Sequence, residues 1–259
     1  MERCCEIILH RGSAMGLYMG QLFPDLLFEN FIHEESNFAA SATAKMIAMG
    51  HVIRCPVLFY SGPGIGKTHL LHSIGNEALC RAPKLKVTIL SSEWFTTQFL
   101  TSMRNDALKT FKEKFRERQN IFMVDELSFI DNKPMIQKEL YKILKLQSKN
   151  GCRIVLASSI TLDAMTNWHK EFREWLQSGE FYIITNPSAE ARKLFIKRLL
   201  AKNKITINDE LIECFHQEAG ASFRELESAV LRVRAAANLY NAELTVEFAG
   251  KTLRELAIR

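Results

Sequence analysis

Val57-Leu58-Phe59-Tyr60-Ser61-Gly62-Pro63-Gly64-Ile65-Gly66-Lys67-Thr68-His69-Leu70-Leu71 is the stretch that decides the fold. Four apolar residues of strand length run into a loop of small residues, and the loop runs into a segment of helical period. Small residues let successive backbone N–H groups curl around phosphate oxygens, and the helix that follows directs its positive end at them. In such a P-loop, Lys67 reaches the β and γ oxygens of a nucleotide and the Thr68 hydroxyl takes Mg²⁺. Ser61 stands where the G-x-x-x-x-G-K-[ST] pattern has its first Gly, a mild change because Gly62, Gly64 and Gly66 still relieve the crowding. A Gly-rich turn that binds nothing is the competing reading, and the strand before and helix after disfavour it.

Outward from this stretch, apolar runs of strand length recur at Val87-Thr88-Ile89-Leu90, Ile121-Phe122-Met123-Val124, Ile154-Val155-Leu156-Ala157 and Phe181-Tyr182-Ile183-Ile184. They do not alternate, so they read as strands buried on both faces, and the segments between them are long enough for right-handed crossovers. The expected class is α/β: a parallel αβα sheet over residues 22–185. Asp125 and Glu126 follow the third run at the carboxyl end of its strand. There Asp125 would complete the Mg²⁺ site, mainly through water, and Glu126 would orient and deprotonate an attacking water, which suits a hydrolase rather than a small-molecule kinase.

After Tyr182 the texture changes. Asn186-Pro187-Ser188 gives a turn and an N-cap, Glu190 to Lys202 is amphipathic and basic, and Asn208-Asp209 can start another helix. Ser222-Phe223-Arg224-Glu225 has the spacing of a capping box opening a long helix to about Tyr240, and Thr245 starts a last one. Residues 186–259 therefore read as a small helical lid, and residues 1–21 as a loose extension.

The chain has 259 residues with 47% hydrophobic, 24% charged, 12 Gly and 6 Pro, which excludes collagen-like, low-complexity and largely disordered classes. No apolar run approaches the roughly 20 residues of a membrane span, so no membrane partner and a cytoplasmic location are expected. The six cysteines, Cys4, Cys5, Cys55, Cys80, Cys152 and Cys214, show no C-x-x-C pair and read as reduced thiols. A net charge of +5 permits a polyanionic partner without requiring one.

The P-loop continues to Ile74-Gly75-Asn76, and around it stand Phe28-Glu29-Asn30-Phe31 with Ser36-Asn37, Ser91-Ser92-Glu93-Trp94-Phe95, Lys109-Thr110-Phe111-Lys112, and Phe223-Arg224-Glu225-Leu226-Glu227. Together these segments resemble the AAA+ ATPase module of the bacterial chromosomal replication initiator family, DnaA. The resemblance covers about Leu22 to Leu256 and implies an AAA+ fold with ATP or ADP and Mg²⁺ between core and lid. It places Phe31 and Ile32 near the adenine, Gly62 to His69 along the phosphates, and Arg224 as the residue that senses the γ-phosphate. It also implies single-stranded DNA contact through Lys109, Lys112 and Lys133.

Departures qualify that reading. Trp175 stands at the family's arginine-finger position, with Arg173 matching an earlier Arg; Ser159 replaces the Asp after the sensor 1 strand; Met135 replaces an Arg beside Asn132 and Lys133. Hydrolysis is therefore expected to be slow. No segment resembles the helix-turn-helix that reads duplex origin sites, so duplex origin recognition is not expected. The expected role is a nucleotide switch in replication initiation or its regulation. The alternatives are an Hda-like regulator docking on the full-length initiator and a DnaC-type loader acting on the replicative helicase. A basic run from Arg104 to Arg118 and a second from Arg192 to Lys204 read either as phosphate tracks or as solvated helix faces. His69 and His72 read as packed structural positions rather than metal ligands, since no third ligand accompanies them.

Overall fold

The apolar runs pair into one parallel sheet: β1 (Val57–Tyr60), β2 (Val87–Ser91), β3 (Ile121–Asp125), β4 (Arg153–Ser158) and β5 (Glu180–Ile183), in the order β2-β3-β4-β1-β5. The structure is a computed structural model, and the residues it describes are 21–257. Residues 1–20, which hold Cys4, Cys5 and all but the last residue of the expected extension, lie outside the described residues.

Helices form the crossovers: α1 (Phe38–Met49) precedes β1, α2 (Lys67–Arg81) follows it, and α3 (Ser92–Arg104) with α4 (Leu108–Glu113) joins β2 to β3. Helices α5 (Pro134–Lys149) and α6 (Lys170–Gln177) complete the set. Ser91 caps α3 by accepting from the Trp94 N–H at 3.1 Å, which explains why the Ser-Ser-Glu-Trp segment turns into a helix at the strand end. Parallel register brings Tyr60 level with Ser158 and Ser91 level with Asp125, so the carboxyl ends of β1, β2, β3 and β4 line one edge of the sheet. Ligand-binding loops of open α/β sheets gather at that edge.

The central strands are buried, and Leu58, Phe122, Val124, Ile154 and Leu156 join Phe95, Phe111, Phe115, Leu140 and Phe172 in the largest core cluster. β5 departs from the expectation of burial on both faces: Phe181 is 56% and Ile183 61% exposed. It is the last strand of the sheet, and only the Tyr182 side of its pleat is packed, with the Phe59 and Tyr182 rings 6.1 Å apart. An apolar run therefore marked the strand correctly but overstated its burial.

By their contacts the described residues divide into two units, one of residues 21–31, 37–61 and 66–184, the other of 32–36, 62–65 and 185–257. The second unit holds α7 (Ala189–Lys202), α8 (Asp209–Glu218), α9 (Phe223–Tyr240) and α10 (Val246–Ala257). Ser188 caps α7 through the Ala191 N–H at 3.1 Å, and Asn208 caps α8 through the Glu210 N–H at 2.8 Å. At α9 the capping box is complete: Ser222 Oγ accepts from the Glu225 N–H at 3.2 Å, and the Glu225 carboxylate accepts from the Ser222 N–H at 2.9 Å. Ile196, Leu200, Phe215, Leu226, Val230 and Leu253 form its own small core.

Cys55, Cys152 and Cys214 are free, and burial pushes the Cys152 thiol up to about 12. Cys80 differs from the expectation of reduced thiols: it is disulfide-bonded.

Candidate nucleotide site

The loop after β1 departs from the strand at Ser61, which is 1% exposed, and α2 begins at Lys67. Gly64 and Gly66 have φ of +78° and +114°, a region that L side chains rarely enter. A Cβ on Gly66 would lie 3.1 Å from the Phe31 ring, and one on Gly64 would lie 2.7 Å from Arg224 Cβ. Glycine is thus required twice, for conformation and for close approach. No side chain of the N-cap residue Gly66 caps α2, whose N-terminus, like that of any helix, attracts an anion.

Lys67, 3% exposed, donates from Nζ to Ser61 O at 2.8 Å and to Ser61 Oγ at 3.2 Å. The serine that breaks the glycine pattern thus helps to hold the lysine against the loop. Thr68 Oγ1 donates to Asp125 Oδ2 at 2.6 Å, joining the start of α2 to the end of β3. Burial pushes the Asp125 carboxyl above its ordinary range, opposed by the hydrogen bonds from Thr68 and the Glu126 N–H and by the Lys67 charge. Adjacent oxygen donors, one hydroxyl and one carboxylate, fit a hard divalent cation such as Mg²⁺. Among the described residues no cluster of three or more His, Cys, Asp or Glu could hold a metal alone, so such an ion needs further ligands from phosphate or water.

Glu126 sits in the left-handed region at φ 49°, ψ 50°, and its N–H donates to Asp125 Oδ1 at 2.8 Å. Its Oε2 accepts from Ser159 Oγ at 3.0 Å and Ser128 Oγ at 3.2 Å. Ser128 escaped the sequence reading altogether, and Ser159 was marked there only as a departure from a family pattern.

Phe31 is buried, and its ring meets His69 edge-on at 5.3 Å. One face of α2 grips residues 23–27 of the upstream segment. His69 Nε2 bonds Leu27 O at 2.8 Å, Asn76 Nδ2 donates to Phe23 O at 2.9 Å and Leu26 O at 3.0 Å, and the Phe23 N–H donates to His72 Nδ1 at 3.1 Å. A Cβ on Gly75 would meet Leu22 at 2.6 Å, so the Ile-Gly-Asn continuation of the P-loop is a docking face for that segment. Burial drops the His72 pKa to about 4, helped by the neighbouring His69.

In the second unit the Arg224 N–H donates to Gly64 O at 3.3 Å, which brings the capping-box turn to the crown of the loop, Gly62–Ile65. The Arg224 side chain is exposed and Ile32 is buried.

The residues expected at DNA are more scattered. Lys109 is exposed on α4, Lys112 pairs with Glu139 at 2.7 Å, and Lys133 Nζ lies 3.5 Å from the centroid of the Phe129 ring while donating to Phe129 O at 2.7 Å. Met135 is 49% exposed. Trp175 is 7% exposed, packed with Tyr141 and Phe172 in the core, and Arg173 Nε is buried with no hydrogen-bond partner among the described residues.

Residues 22–182 match the bacterial DnaA ATPase domain family. The chromosomal replication initiator protein DnaA of Helicobacter pylori (strain Shi470) is 31% identical over 230 residues, 88% of this chain and 50% of that protein, so the chain spans about half the length of the curated relatives it matches. Among solved structures, domain III of the Thermotoga maritima replication initiation protein DnaA aligns with a TM-score of 0.83 at 27% identity, over 90% of this chain and 98% of that one. A replication initiator DnaA bound to AMPPCP and single-stranded DNA aligns with a TM-score of 0.72 at 22% identity, over 85% of this chain and 69% of that one, and shows the shared fold. With the P-loop built from Ser61 to Thr68 and the acidic pair at the end of β3, the chain belongs to the bacterial DnaA family and carries its ATPase domain.

Proposed function

We propose that this chain is an ATP-dependent switch of replication initiation, binding ATP or ADP with Mg²⁺ and hydrolysing ATP slowly. The observation that carries the reading is the Thr68–Asp125 hydrogen bond of 2.6 Å, which sets a hydroxyl and a carboxylate side by side at the base of the phosphate loop. Loop N–H groups and the N-terminus of α2 hold the phosphates, Lys67 neutralises the β and γ oxygens, and Phe31 and Ile32 line the adenine side. Thr68 and Asp125 hold Mg²⁺, which when bound neutralises charge developing on the transferred phosphoryl group. Glu126 accepts the proton of the attacking water, and Arg224 responds to the presence of the γ-phosphate.

Slow turnover follows from Trp175. Phosphoryl transfer is driven by positioning and by cations around the transferred group. A buried indole at the finger position supplies no cation to a neighbouring copy, and Arg173 lies two residues away with its guanidinium partly buried. Contact with single-stranded DNA is supported by the structural neighbour bound to such a strand and by Lys109. It should be weak and salt-dependent, because Lys112 is engaged with Glu139 and Lys133 covers Phe129. The family match and the curated relatives favour the initiator line over a helicase loader or a dedicated regulator. No helix among the described residues is long and apolar enough to cross a membrane.

Titration calorimetry with ATP and ADP, paired with single-turnover hydrolysis, tests this. Lys67→Ala should abolish nucleotide binding, and Glu126→Gln should bind ATP as the parent does while losing about 100-fold or more in turnover. Normal hydrolysis by Glu126→Gln would remove Glu126 as the base.

A further inference from the structure

Glu126 is held from two sides by groups that lie outside the P-loop. The Ser128 hydroxyl comes from the short helix Leu127–Ile130 after β3, and the Ser159 hydroxyl from the loop after β4. Both converge on Oε2, at 3.2 and 3.0 Å, and the Ser159 N–H donates to Ser128 Oγ at 3.4 Å, closing a triangle. Proton accounting fixes the directions of these bonds. A carboxylate only accepts and a backbone N–H only donates, so Ser128 Oγ takes the amide proton of Ser159 on a lone pair and spends its own proton on Glu126. Ser159 spends its hydroxyl proton the same way. Among the described residues no hydrogen bond falls on Oε1.

We propose that Ser128 and Ser159 are positioning residues for Glu126, two hydroxyls from separate loops that fix one carboxylate oxygen and leave the other to take a proton from water. This rests on the reading of Glu126 as the base. The triangle is not needed to join β3 to β4, because the strand ladder already does so from Ile121↔Arg153 to Val124↔Leu156. What it restrains is a glutamate side chain, which is rich in rotamers and costly to order. It does so at a residue whose backbone is already in an uncommon left-handed conformation, held by Asp125 Oδ1. A base loses efficiency when it wanders by an ångström, since proton transfer requires hydrogen-bond reach of the water.

The test uses the full chain with Mg²⁺ and ATP, measuring kcat and KM together with the ATP and ADP dissociation constants. Ser128→Ala and Ser159→Ala should each lower kcat about 10-fold, and the double variant toward the level of Glu126→Gln, with dissociation constants unchanged. Ser128→Thr and Ser159→Thr keep the hydroxyl and should restore most of the rate. Parent-like kcat in both alanine variants, with Glu126→Gln inactive, would overturn the proposal while leaving Glu126 as the base. Loss of nucleotide affinity in step with kcat would also overturn it, by making the serines binding or folding residues. Parent-like turnover in Glu126→Gln would instead sink the reading of the base itself, and the positioning role with it.

Discussion

At the scale of single residues, the least visible constraint is the neutral state of His72. Its ring is 4% exposed, and Nδ1 accepts the Phe23 N–H, a bond that only an unprotonated Nδ1 can accept. Burial holds the folded pKa at about 4 against an ordinary value of 6.5. The unfolded chain therefore takes up a proton near pH 6.5 and the folded one only near pH 4, so stability is lost as the pH falls through that window. At pH 5 the loss from this group is about 2 kcal/mol relative to pH 7. Thermal unfolding from pH 7 to pH 5 should show it, and His72→Asn, whose Oδ1 can accept the same N–H, should flatten the curve over that range. An equally steep curve in the variant would assign the acid sensitivity to other groups. The sequence pointed to His72 as a packed position because no third metal ligand accompanied it, but nothing in the sequence identified residues 23–27, some 50 positions upstream, as what it packs against.

At the scale of elements, motif-bearing parts were legible and the fastenings between them were not. Strand runs and cap residues are local signals: each needs a few neighbouring residues, so Ser188, Asn208 and the Ser222/Glu225 box set their helices where the sequence places them. β5 was found by the same signal, yet the exposure of Phe181 and Ile183 depends on which strand ends the sheet, a property of topology. Gln147 belongs to the illegible class. It is fully buried near the end of α5, donates to Phe115 O at 2.7 Å and Glu117 O at 2.9 Å, and accepts from the Gln119 N–H at 3.0 Å. One amide thus closes the loop between α4 and β3, which no regular structure pairs. Gln147→Leu keeps the bulk but leaves Phe115 O and the Gln119 N–H without the amide, while Glu117 O keeps its bond from Gln119 Nε2 at 3.1 Å, and it should cost about 2–3 kcal/mol in urea unfolding. A loss below about 0.5 kcal/mol would show that water replaces the amide.

On the scale of the whole molecule, the sheet edge explains why distant residues of the site assemble. Parallel register sets the carboxyl ends of β1, β3 and β4 together, so Ser61, Asp125, Glu126 and Ser159 become neighbours although they span almost a hundred positions of chain. The P-loop and acidic pair could be read from the sequence because each is a contiguous motif. The triangle at Glu126 could not, since Ser128 has no motif and Ser159 stands 33 residues from the carboxylate it touches. Trp175, read from the sequence as a departure from the family pattern, is buried in the aromatic core, and the proposal of slow turnover rests on that reading. The crown of the loop, Gly62–Ile65, groups with the helical unit that carries Arg224, a division that chain order hides.

A nucleotide switch, as proposed, requires that the chain adopt different states with ATP and with ADP. Limited proteolysis of the protein loaded with each nucleotide, in parallel with Arg224→Ala, tests it most directly. Distinct cleavage patterns in residues 185–257 are expected for the parent and a single shared pattern for the variant, with ATP still bound. Identical patterns for the ATP- and ADP-loaded parent would contradict it.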